Sequence, residues 1–284
     1  MKTKVTEFGE KDLKPKFIER YKQICPDYDA FVDYSFRYIR KSIRVNTLKI
    51  SVEELKKRMS EDWNLTKIPW CDYGFFIENK HGRRDIGNTI SHTLGYIYVQ
   101  EAVSMIPPII LDPKPDDLVL DMCASPGSKT TQLSQIMKNK GLIVANDIKS
   151  DRLAALGLNV QRCGLTNCII TNMHGQAFGR KEIIFDKILV DAPCSATGAI
   201  RKSFKTVKMW NPDMIRRLSA TQKSLIKTAF SLLKPNGIMV YSTCSVEPEE
   251  DEEVIDCLLK EFDNAKIEEI KLDIKRAPRA PAIL

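Results

Sequence analysis

Two short stretches of the sequence place a thiol among groups suited to nucleophilic or acid–base chemistry. In FDKILVDAPCSATG, residues 185–198, an apolar run leads into Asp191, and Cys194 follows among small residues. In YSTCSVEPEE, residues 241–250, a second apolar run leads into Cys244. A thiol that its surroundings activate can attack an electrophilic carbon and form a covalent intermediate. The first stretch, taken alone, favours Cys194 as the nucleophile.

The elements that position these groups alternate along residues 101–284. Such an alternation of strands and helices predicts an α/β domain with a mostly parallel sheet and helices on both faces. Ligands of such sheets lie beyond the carboxyl ends of the strands, so both thiols and Asp191 are expected in one cleft. The apolar runs predicted as strands are 118–122, 142–145, 168–171, 188–190 and 238–241, and the predicted helices are 128–138, 150–162 and 212–233.

A nucleoside cofactor is indicated at the ends of the first three strands. The stretch DMCASPGSKTTQL, residues 121–133, joins small residues and a glycine to a helix start, which offers backbone amides to a ligand. The second strand ends at Asp147, where an acid can accept both ribose hydroxyls or can serve only as a helix-start carboxylate. The third run predicts Asn172 or His174 near an adenine. The loop lacks the first glycine of a phosphate-binding loop and any pyrophosphate fingerprint, so S-adenosylmethionine fits better than ATP or NAD.

Composition narrows the class of protein. The chain has 284 residues and a net charge of +7, with no signal peptide and no membrane-length apolar run, which predicts a cytoplasmic protein. Its eight cysteines are scattered without a C-x-x-C motif, so neither disulfides nor a metal site is predicted. Residues 199–234 carry nine Lys/Arg against one acid, Asp213. This basic block is either a set of solvated helix faces or a surface for an anionic substrate.

Residues 1–100 predict a small α/β module ahead of the larger domain. The segment 43–50, IRVNTLKI, has the pattern of a strand, and Ser51 with Glu54 forms a capping box that begins the next helix. Several aromatic residues lie near Arg37 and Arg40, and they can either fill a core or pack on nucleic acid.

One reaction needs two thiols and an acid together. Carbon 5 of cytosine becomes nucleophilic when a thiolate adds at carbon 6 and an acid protonates or hydrogen-bonds N3. After methyl transfer, a base must remove the carbon 5 proton before the thiol can leave. Methylation of an exocyclic amine needs no covalent thiol and favours an aromatic residue where this chain has Cys194.

At these motifs the sequence resembles the Nop/Sun family of RNA cytosine-5 methyltransferases, in particular its archaeal tRNA-modifying members. IRVNTLKIS, DMCASPGSKT, DAPCSATG and YSTCSVEPEE occur in order within residues 40–260. The resemblance implies a Rossmann-like class I methyltransferase with an N-terminal RNA-contacting module over 1–100 and a methyltransferase domain over 101–284. It implies that Cys244 attacks carbon 6, Cys194 assists product release and Asp191 holds N3.

The resemblance also implies the cofactor and the partner: S-adenosylmethionine, and RNA, with tRNA expected. A ribosomal RNA methyltransferase and a non-catalytic RNA-binding protein with the same fold are the alternatives, and a monomer without a membrane partner is expected. The residues that match the family's cofactor site are Cys123, Ala124, Ser125, Pro126, Gly127, Ser128, Lys129, Asp147, Arg152 and Asp191.

The sequence departs from the family pattern at two places. The family commonly has an aspartate at the position of His174. It also usually continues into a last strand with a glycine-phenylalanine-phenylalanine signature, whereas this sequence ends in RAPRAPAIL. We therefore expect a shortened chain whose sheet lacks its last strand and keeps an unpaired edge.

Overall fold

The computed structural model describes residues 8–82, 85–180, 182–270 and 272. The elements before residue 112 are α1 (Pro15–Ile24), α2 (Tyr28–Ser35), β1 (Ser42–Val45), α3 (Val52–Met59), β2 (Trp63–Ile68), β3 (Cys71–Asn79), α4 (Ile90–Thr93), β4 (Ile97–Val99) and α5 (Ile106–Leu111). Those that follow are β5 (Leu118–Asp121), α6 (Ser128–Ile136), β6 (Leu142–Asn146), α7 (Ser150–Cys163), β7 (Cys168–Thr171), β8 (Phe185–Asp191), α8 (Lys205–Met209), α9 (Pro212–Ser231), β9 (Leu233–Ser242) and α10 (Glu252–Glu261).

An antiparallel sheet in the order β2-β3-β1-β4 forms the N-terminal module. Its strand β1 ends at Val45, so the strand predicted over 43–50 is too long. The chain turns at Asn46, whose side-chain amide donates to the carbonyls of Gly95 and Cys163, each at 2.8 Å. The predicted cap of α3 is confirmed, since Ser51 Oγ accepts the Glu54 N–H at 3.1 Å.

Helices α1 and α2 pack away from this sheet. Their aromatic residues Phe17 and Tyr21 are fully buried in one cluster with Ile200 and Trp210, which follow the Cys194 loop in the chain. The first two helices therefore contact the segment that leads from the predicted active site into α9.

The predicted α/β alternation is confirmed by a parallel five-stranded sheet in the order β7-β6-β5-β8-β9. Alternate residues of the central strands face opposite sides of this sheet, as its period of two requires. Val119 packs with Leu133 of α6 on one face, and Leu120 packs with Leu225 of α9 on the other. Helices thus cover both faces, and the predicted helices end within two residues of the observed ends.

The sheet register brings the predicted site residues to one edge. Asp121 at the end of β5 pairs with Leu189 of β8, and Asp191 at the end of β8 pairs with Ser242 of β9. The loops that carry Cys123, Cys194 and Cys244 therefore leave the sheet side by side.

Residues 273–284 lie outside the described residues, so the predicted absence of a last strand concerns a segment on which the structure says nothing. Within the described ranges, the helices are too short or too polar to cross a membrane. The same ranges contain no cluster of three or more His, Cys, Asp or Glu that could hold a metal ion.

Candidate active site

The two cysteine loops meet at the carboxyl ends of β8 and β9. The Sγ atoms of Cys194 and Cys244 lie 3.1 Å apart, and the Cys244 backbone N–H donates to Cys194 Sγ at 3.3 Å. Cys244 is exposed, whereas Cys194 is half-buried. The exposed thiol is therefore the one that a substrate reaches first.

The contact between the two sulfurs shifts the pKa values of the two thiols in opposite directions. The hydrogen bond between the two sulfurs lowers the pKa of Cys244 below its usual value, and nearby Lys202 and Lys129 act in the same direction. Burial of the Cys244 thiol and the charge of Asp191 oppose this lowering. The same hydrogen bond, together with burial, raises the pKa of Cys194. Cys244 is thus the thiol of the pair that ionises more readily, and the thiolate form of a cysteine is the nucleophile.

Asp191 forms an ion pair with Lys129, a residue assigned by sequence to the cofactor loop. Lys129 Nζ donates to Asp191 Oδ2 at 2.5 Å, and Ser242 Oγ donates to Asp191 Oδ1 at 2.9 Å. The Lys129 side chain is 11% exposed and the Asp191 side chain 33% exposed. An ammonium and a carboxylate therefore lie together beside the two thiols.

Backbone contacts with the end of β6 hold the loop between β5 and α6. The Ala124 N–H donates to the Asn146 carbonyl at 2.7 Å, and the Gly127 N–H donates to the Ala124 carbonyl at 2.7 Å. Gly127 has a φ of 99° and precedes the first residue of α6. A Cβ there would lie 2.9 Å from Leu156 Cδ1, and any other side chain would be strained at this φ, so glycine suits the turn into α6.

Asp147 lies at the end of β6, as predicted, and its carboxylate is almost fully buried. One oxygen accepts the Ser125 N–H at 3.1 Å, and the other accepts the Lys149 N–H at 3.0 Å. Arg152 Nη1 is 3.6 Å from the first oxygen, and Arg152 Nη2 donates to the Ser125 carbonyl at 2.5 Å. The acid thus braces the cofactor loop and also serves the start of α7.

Asp121 lies at the end of β5, at the start of this loop. Its carboxyl group is fully buried; Oδ2 accepts a hydrogen bond from Thr130 Oγ1 at 2.7 Å, and Oδ1 has no hydrogen-bond partner among the described residues. Burial raises the pKa of Asp121 to about 7, because removal from water penalises the charged form. Sequence reasoning gave this residue no role of its own.

Asn172 and His174, predicted near an adenine, follow the end of β7 and have different surroundings. The Asn172 side chain donates to the backbone carbonyls of Asp147 and Ile148, at 2.7 and 3.0 Å. It therefore supports the turn after β6. His174 lines an open groove of about 410 Å³ together with Gln176, Ala177 and Arg180.

Two buried acids support the cysteine loops, and sequence reasoning gave neither of them a role. Glu247 Oε1 accepts hydrogen bonds from Tyr21 OH and Trp210 Nε1, both at 2.7 Å, and so ties the Cys244 loop to α1. Glu250 accepts the Ser195 N–H at 2.9 Å. Both acids lie within the motif YSTCSVEPEE, but their burial depends on which elements pack over them.

Six of the nine Lys and Arg residues in the basic block, residues 199–234, form ion pairs with acidic side chains. Among the described residues, Lys205, Lys208 and Arg217 make no ion pair, and all three are exposed. The other six cations form the ion pairs Arg201–Glu101, Lys202–Glu101, Arg216–Asp213, Lys223–Glu253, Lys227–Glu261 and Lys234–Asp186.

Comparison with known proteins identifies the family of this chain. The profile of the 16S rRNA methyltransferase RsmB/F family matches residues 108–278, and that of the N-terminal domain of 16S rRNA methyltransferase RsmF matches residues 13–102. The chain belongs to the RsmB/F-type (Nop/Sun) family of RNA cytosine-5 methyltransferases. The resemblance read from the motifs is therefore confirmed.

Relatives within this RsmB/F-type family differ in the RNA that their names specify. The chain is 46% identical over 266 residues to the tRNA (cytosine(49)-C(5))-methyltransferase of Pyrococcus abyssi, covering 93% of this chain and 84% of that protein. It is 44% identical over 261 residues to the ribosomal RNA small subunit methyltransferase F of Aliivibrio salmonicida, covering 89% of this chain. The chain spans only 55% of the length of that second protein.

Solved structures agree with the RsmB/F-type fold. A methyltransferase homologue from Pyrococcus horikoshii superposes with a TM-score of 0.73 at 37% identity, over 88% of this chain and 84% of that one. NSun6 from Pyrococcus horikoshii superposes with a TM-score of 0.80 over 87% of each chain, and at 23% identity it supports the fold alone.

Proposed function

We propose that this protein transfers a methyl group from S-adenosylmethionine to carbon 5 of a cytosine in RNA, through a covalent bond between Cys244 and carbon 6. The observation that carries the proposal is the contact between the Cys194 and Cys244 sulfurs, 3.1 Å apart, beside the Lys129–Asp191 ion pair. A transfer to an exocyclic amine has no use for two adjoining thiols. Cytosine carbon 5 needs a nucleophile and a base in one place.

The residues at the ends of β5 and β6 suit S-adenosylmethionine. The loop from Cys123 to Lys129 leads into the N-terminus of α6, Asp147 supplies a carboxylate, and the exposed apolar Ile148 follows that acid directly. This set of groups suits a nucleoside without a pyrophosphate, and the loop residues with Asp147, Arg152 and Asp191 would hold it. When bound, S-adenosylmethionine supplies an electrophilic methyl group.

Asp191 and Lys129 act on the pyrimidine edge. Cytosine presents an acceptor at N3 and a donor at its exocyclic amine, and the ion pair offers an ammonium donor beside a carboxylate acceptor. Holding N3 in this way stabilises the charge that enters the ring when the Cys244 thiolate adds at carbon 6. The carbon 5–carbon 6 double bond then supplies the electron pair that forms the new bond from carbon 5 to the methyl group, and the sulfur–methyl bond of S-adenosylmethionine would break with its electron pair remaining on sulfur.

Cys194 serves the release of the product. After transfer, carbon 5 carries both a proton and the methyl group. A base takes the proton, the electron pair of the carbon–hydrogen bond restores the carbon 5–carbon 6 double bond, and the bond to Cys244 Sγ breaks to regenerate the thiolate. Cys194 is the group beside Cys244 that can assist this step, so the attack and the release belong to different thiols.

tRNA is the RNA that the comparisons favour. The relative named for tRNA is 46% identical over 93% of this chain, and a relative named for ribosomal RNA is 44% identical over 89% of it. We propose that residues 1–100 contact the RNA and residues 101–284 carry the reaction. The cytoplasmic location and the monomeric state remain predictions from the sequence.

A methylation assay with two variants tests the proposal. Cys244→Ala should lose turnover and form no covalent RNA–protein adduct, whereas Cys194→Ala should accumulate the adduct on denaturing gels. Cys257→Ala, a thiol remote from the site on α10, is the matched control and should behave as wild type. Full turnover by Cys244→Ala would overturn the assignment.

A second experiment tests whether tRNA or ribosomal RNA is the substrate. Bisulfite sequencing of tRNA and ribosomal RNA after treatment should show new 5-methylcytosine in tRNA. Methylation confined to ribosomal RNA would establish the alternative. Failure to bind S-adenosylmethionine in calorimetry would instead point to a non-catalytic RNA-binding protein.

A further inference from the structure

Glu250 is a buried carboxylate for which the proposed reaction has no use. It lies six residues after Cys244, and its side chain is fully shielded from solvent. No cation pairs with it in the part of the chain that the structure describes, and its Oε1 has no hydrogen-bond partner there. Burying a carboxylate without a cation is costly, so its contacts indicate what it does.

The contacts of Glu250 lead to the peptide groups on both sides of Cys194. Glu250 Oε2 accepts the N–H of Ser195 at 2.9 Å and a hydrogen bond from Gln222 Nε2 at 3.3 Å. Gln222 Nε2 also donates to the carbonyl of Pro193 at 2.9 Å. The residue before Cys194 and the residue after it are therefore both held by the Glu250–Gln222 pair.

This pair is itself held by long elements. Gln222 is fully buried on α9, a helix of 20 residues. The Glu250 backbone is fixed by Tyr241 OH, which donates to its carbonyl at 2.6 Å, and by its own N–H, which donates to the Glu247 carbonyl at 2.9 Å. The Cys194 loop has no helix or strand of its own, so these groups set its position.

Different groups hold the loop of Cys244. The Gly198 N–H donates to the Cys244 carbonyl at 3.0 Å, and Glu247 bonds Tyr21 and Trp210. A change at Glu250 is thus directed at Cys194, although the two loops also share hydroxyl contacts through Ser195, Thr197 and Ser245.

We propose that Glu250 is a positioning residue for Cys194, acting through the Ser195 N–H and Gln222 to hold this thiol where it can assist product release. The inference rests on the proposed function, in which Cys194 serves release. A displacement of about 1 Å in a reacting group can cost about 100-fold in rate. Loss of Glu250 should therefore slow release and leave attack by Cys244 and methyl transfer close to normal.

The experiment compares Glu250→Leu, Glu250→Gln and Gln222→Met with Cys194→Ala and wild type on the same RNA. Three quantities are measured: single-turnover methyl transfer, the fraction of RNA in covalent adduct, and steady-state turnover. Glu253→Gln is the matched control, since it makes the same chemical change at a half-exposed side chain paired with Lys223. Melting curves and S-adenosylmethionine binding establish that each variant folds.

Glu250→Leu should raise the adduct fraction and lower steady-state turnover about 10- to 100-fold, with single-turnover transfer within about threefold of wild type. Glu250→Gln should be milder, because its amide oxygen can still accept the Ser195 N–H. Gln222→Met should resemble Glu250→Leu. A purely structural role would lower single-turnover transfer and release together.

Normal release in folded Glu250→Leu and Gln222→Met, with adduct accumulation in Cys194→Ala, overturns this inference alone. If Glu250→Leu does not fold, normal release in both Glu250→Gln and Gln222→Met overturns it equally. Absence of any adduct in Cys194→Ala, or turnover by Cys244→Ala, overturns the proposed function instead.

Discussion

The sulfurs of Cys194 and Cys244 lie 3.1 Å apart although 50 positions separate the two residues in the chain. Neighbouring parallel strands β8 and β9 end side by side, and each cysteine follows its strand by two or three residues. The Gly198 N–H then donates to the Cys244 carbonyl at 3.0 Å and closes the two loops on each other. The contact between the two sulfurs lowers the pKa of Cys244 and raises that of Cys194.

The acidity of Cys244 should depend on Cys194. The hydrogen bond with Cys194 is the largest cause of the lowered pKa of Cys244, with Lys202 and Lys129 adding to it and burial and Asp191 opposing it. Cys194→Ala should therefore raise the midpoint pH of Cys244 alkylation by iodoacetamide, and Cys194→Ser, which keeps a donor, should raise it less. Alkylation rates between pH 5 and 10 measure this, with Cys244→Ala as the blank. An unchanged midpoint in Cys194→Ala would refute the hydrogen bond.

Asp147 should matter to cofactor binding through the loop that it braces. Asp147→Ala removes the acceptor of the Ser125 and Lys149 N–H groups. The buried Ser125 N–H would lose its partner, at about 1–3 kcal/mol, so S-adenosylmethionine binding should weaken about tenfold. Calorimetry measures the affinity, with exposed Asp151→Ala as control. Wild-type affinity in Asp147→Ala would show that the carboxylate has no part in the cofactor site.

Asp121 should make the protein less stable as pH rises. Its folded pKa of about 7 lies above its unfolded value, so its contribution to the free energy of unfolding is complete at about pH 4 and is lost as pH approaches 7. Asp121→Asn stays neutral and keeps an acceptor for Thr130. The free energy of unfolding of Asp121→Asn should equal that of wild type near pH 4. As pH rises from there, the variant should become more stable than wild type by up to about 1.4 kcal/mol for each pH unit.

Urea unfolding at several pH values tests this expectation. Asp116→Asn, the same change at an exposed residue, is the matched control. If the free energies of unfolding of Asp121→Asn and wild type depended on pH in the same way, the pKa of Asp121 would not be raised in the folded protein.

Unpaired cations of the basic block should carry the RNA affinity of that surface. Lys205 and Lys208 are exposed and make no ion pair with the described residues, whereas Lys223 and Lys227 pair with acids on α10. Neutralising Lys205 and Lys208 to Gln should weaken RNA binding and lower the slope of log affinity against log salt by about 1.5. The double Gln variant of Lys223 and Lys227 is the control. Equal losses in the two variants would show that ion pairing does not decide which cations bind.

The elements of the methyltransferase sheet and the residues at their ends could be read from the sequence. Apolar runs, caps and glycines are signals within about ten residues of chain, and the physics that they reflect is equally local. The prediction was wrong where a distant contact intervened: β1 stops at Val45 because Asn46 bonds carbonyls of Gly95 and Cys163. The assignment of Lys129 to the cofactor loop likewise missed its ion pair with Asp191.

The sequence by itself determined the family, the chain order of the five strands of the parallel sheet, and the residues that could do chemistry: Asp191, Cys194 and Cys244. Only the tertiary structure decided how these groups act on one another. The hydrogen-bond partner of Cys244 is Cys194, the partner of Asp191 lies on α6, and Glu250 and Gln222 support the Cys194 loop. Each of these contacts joins residues at least 28 positions apart, so its existence depends on how strands pair and helices pack.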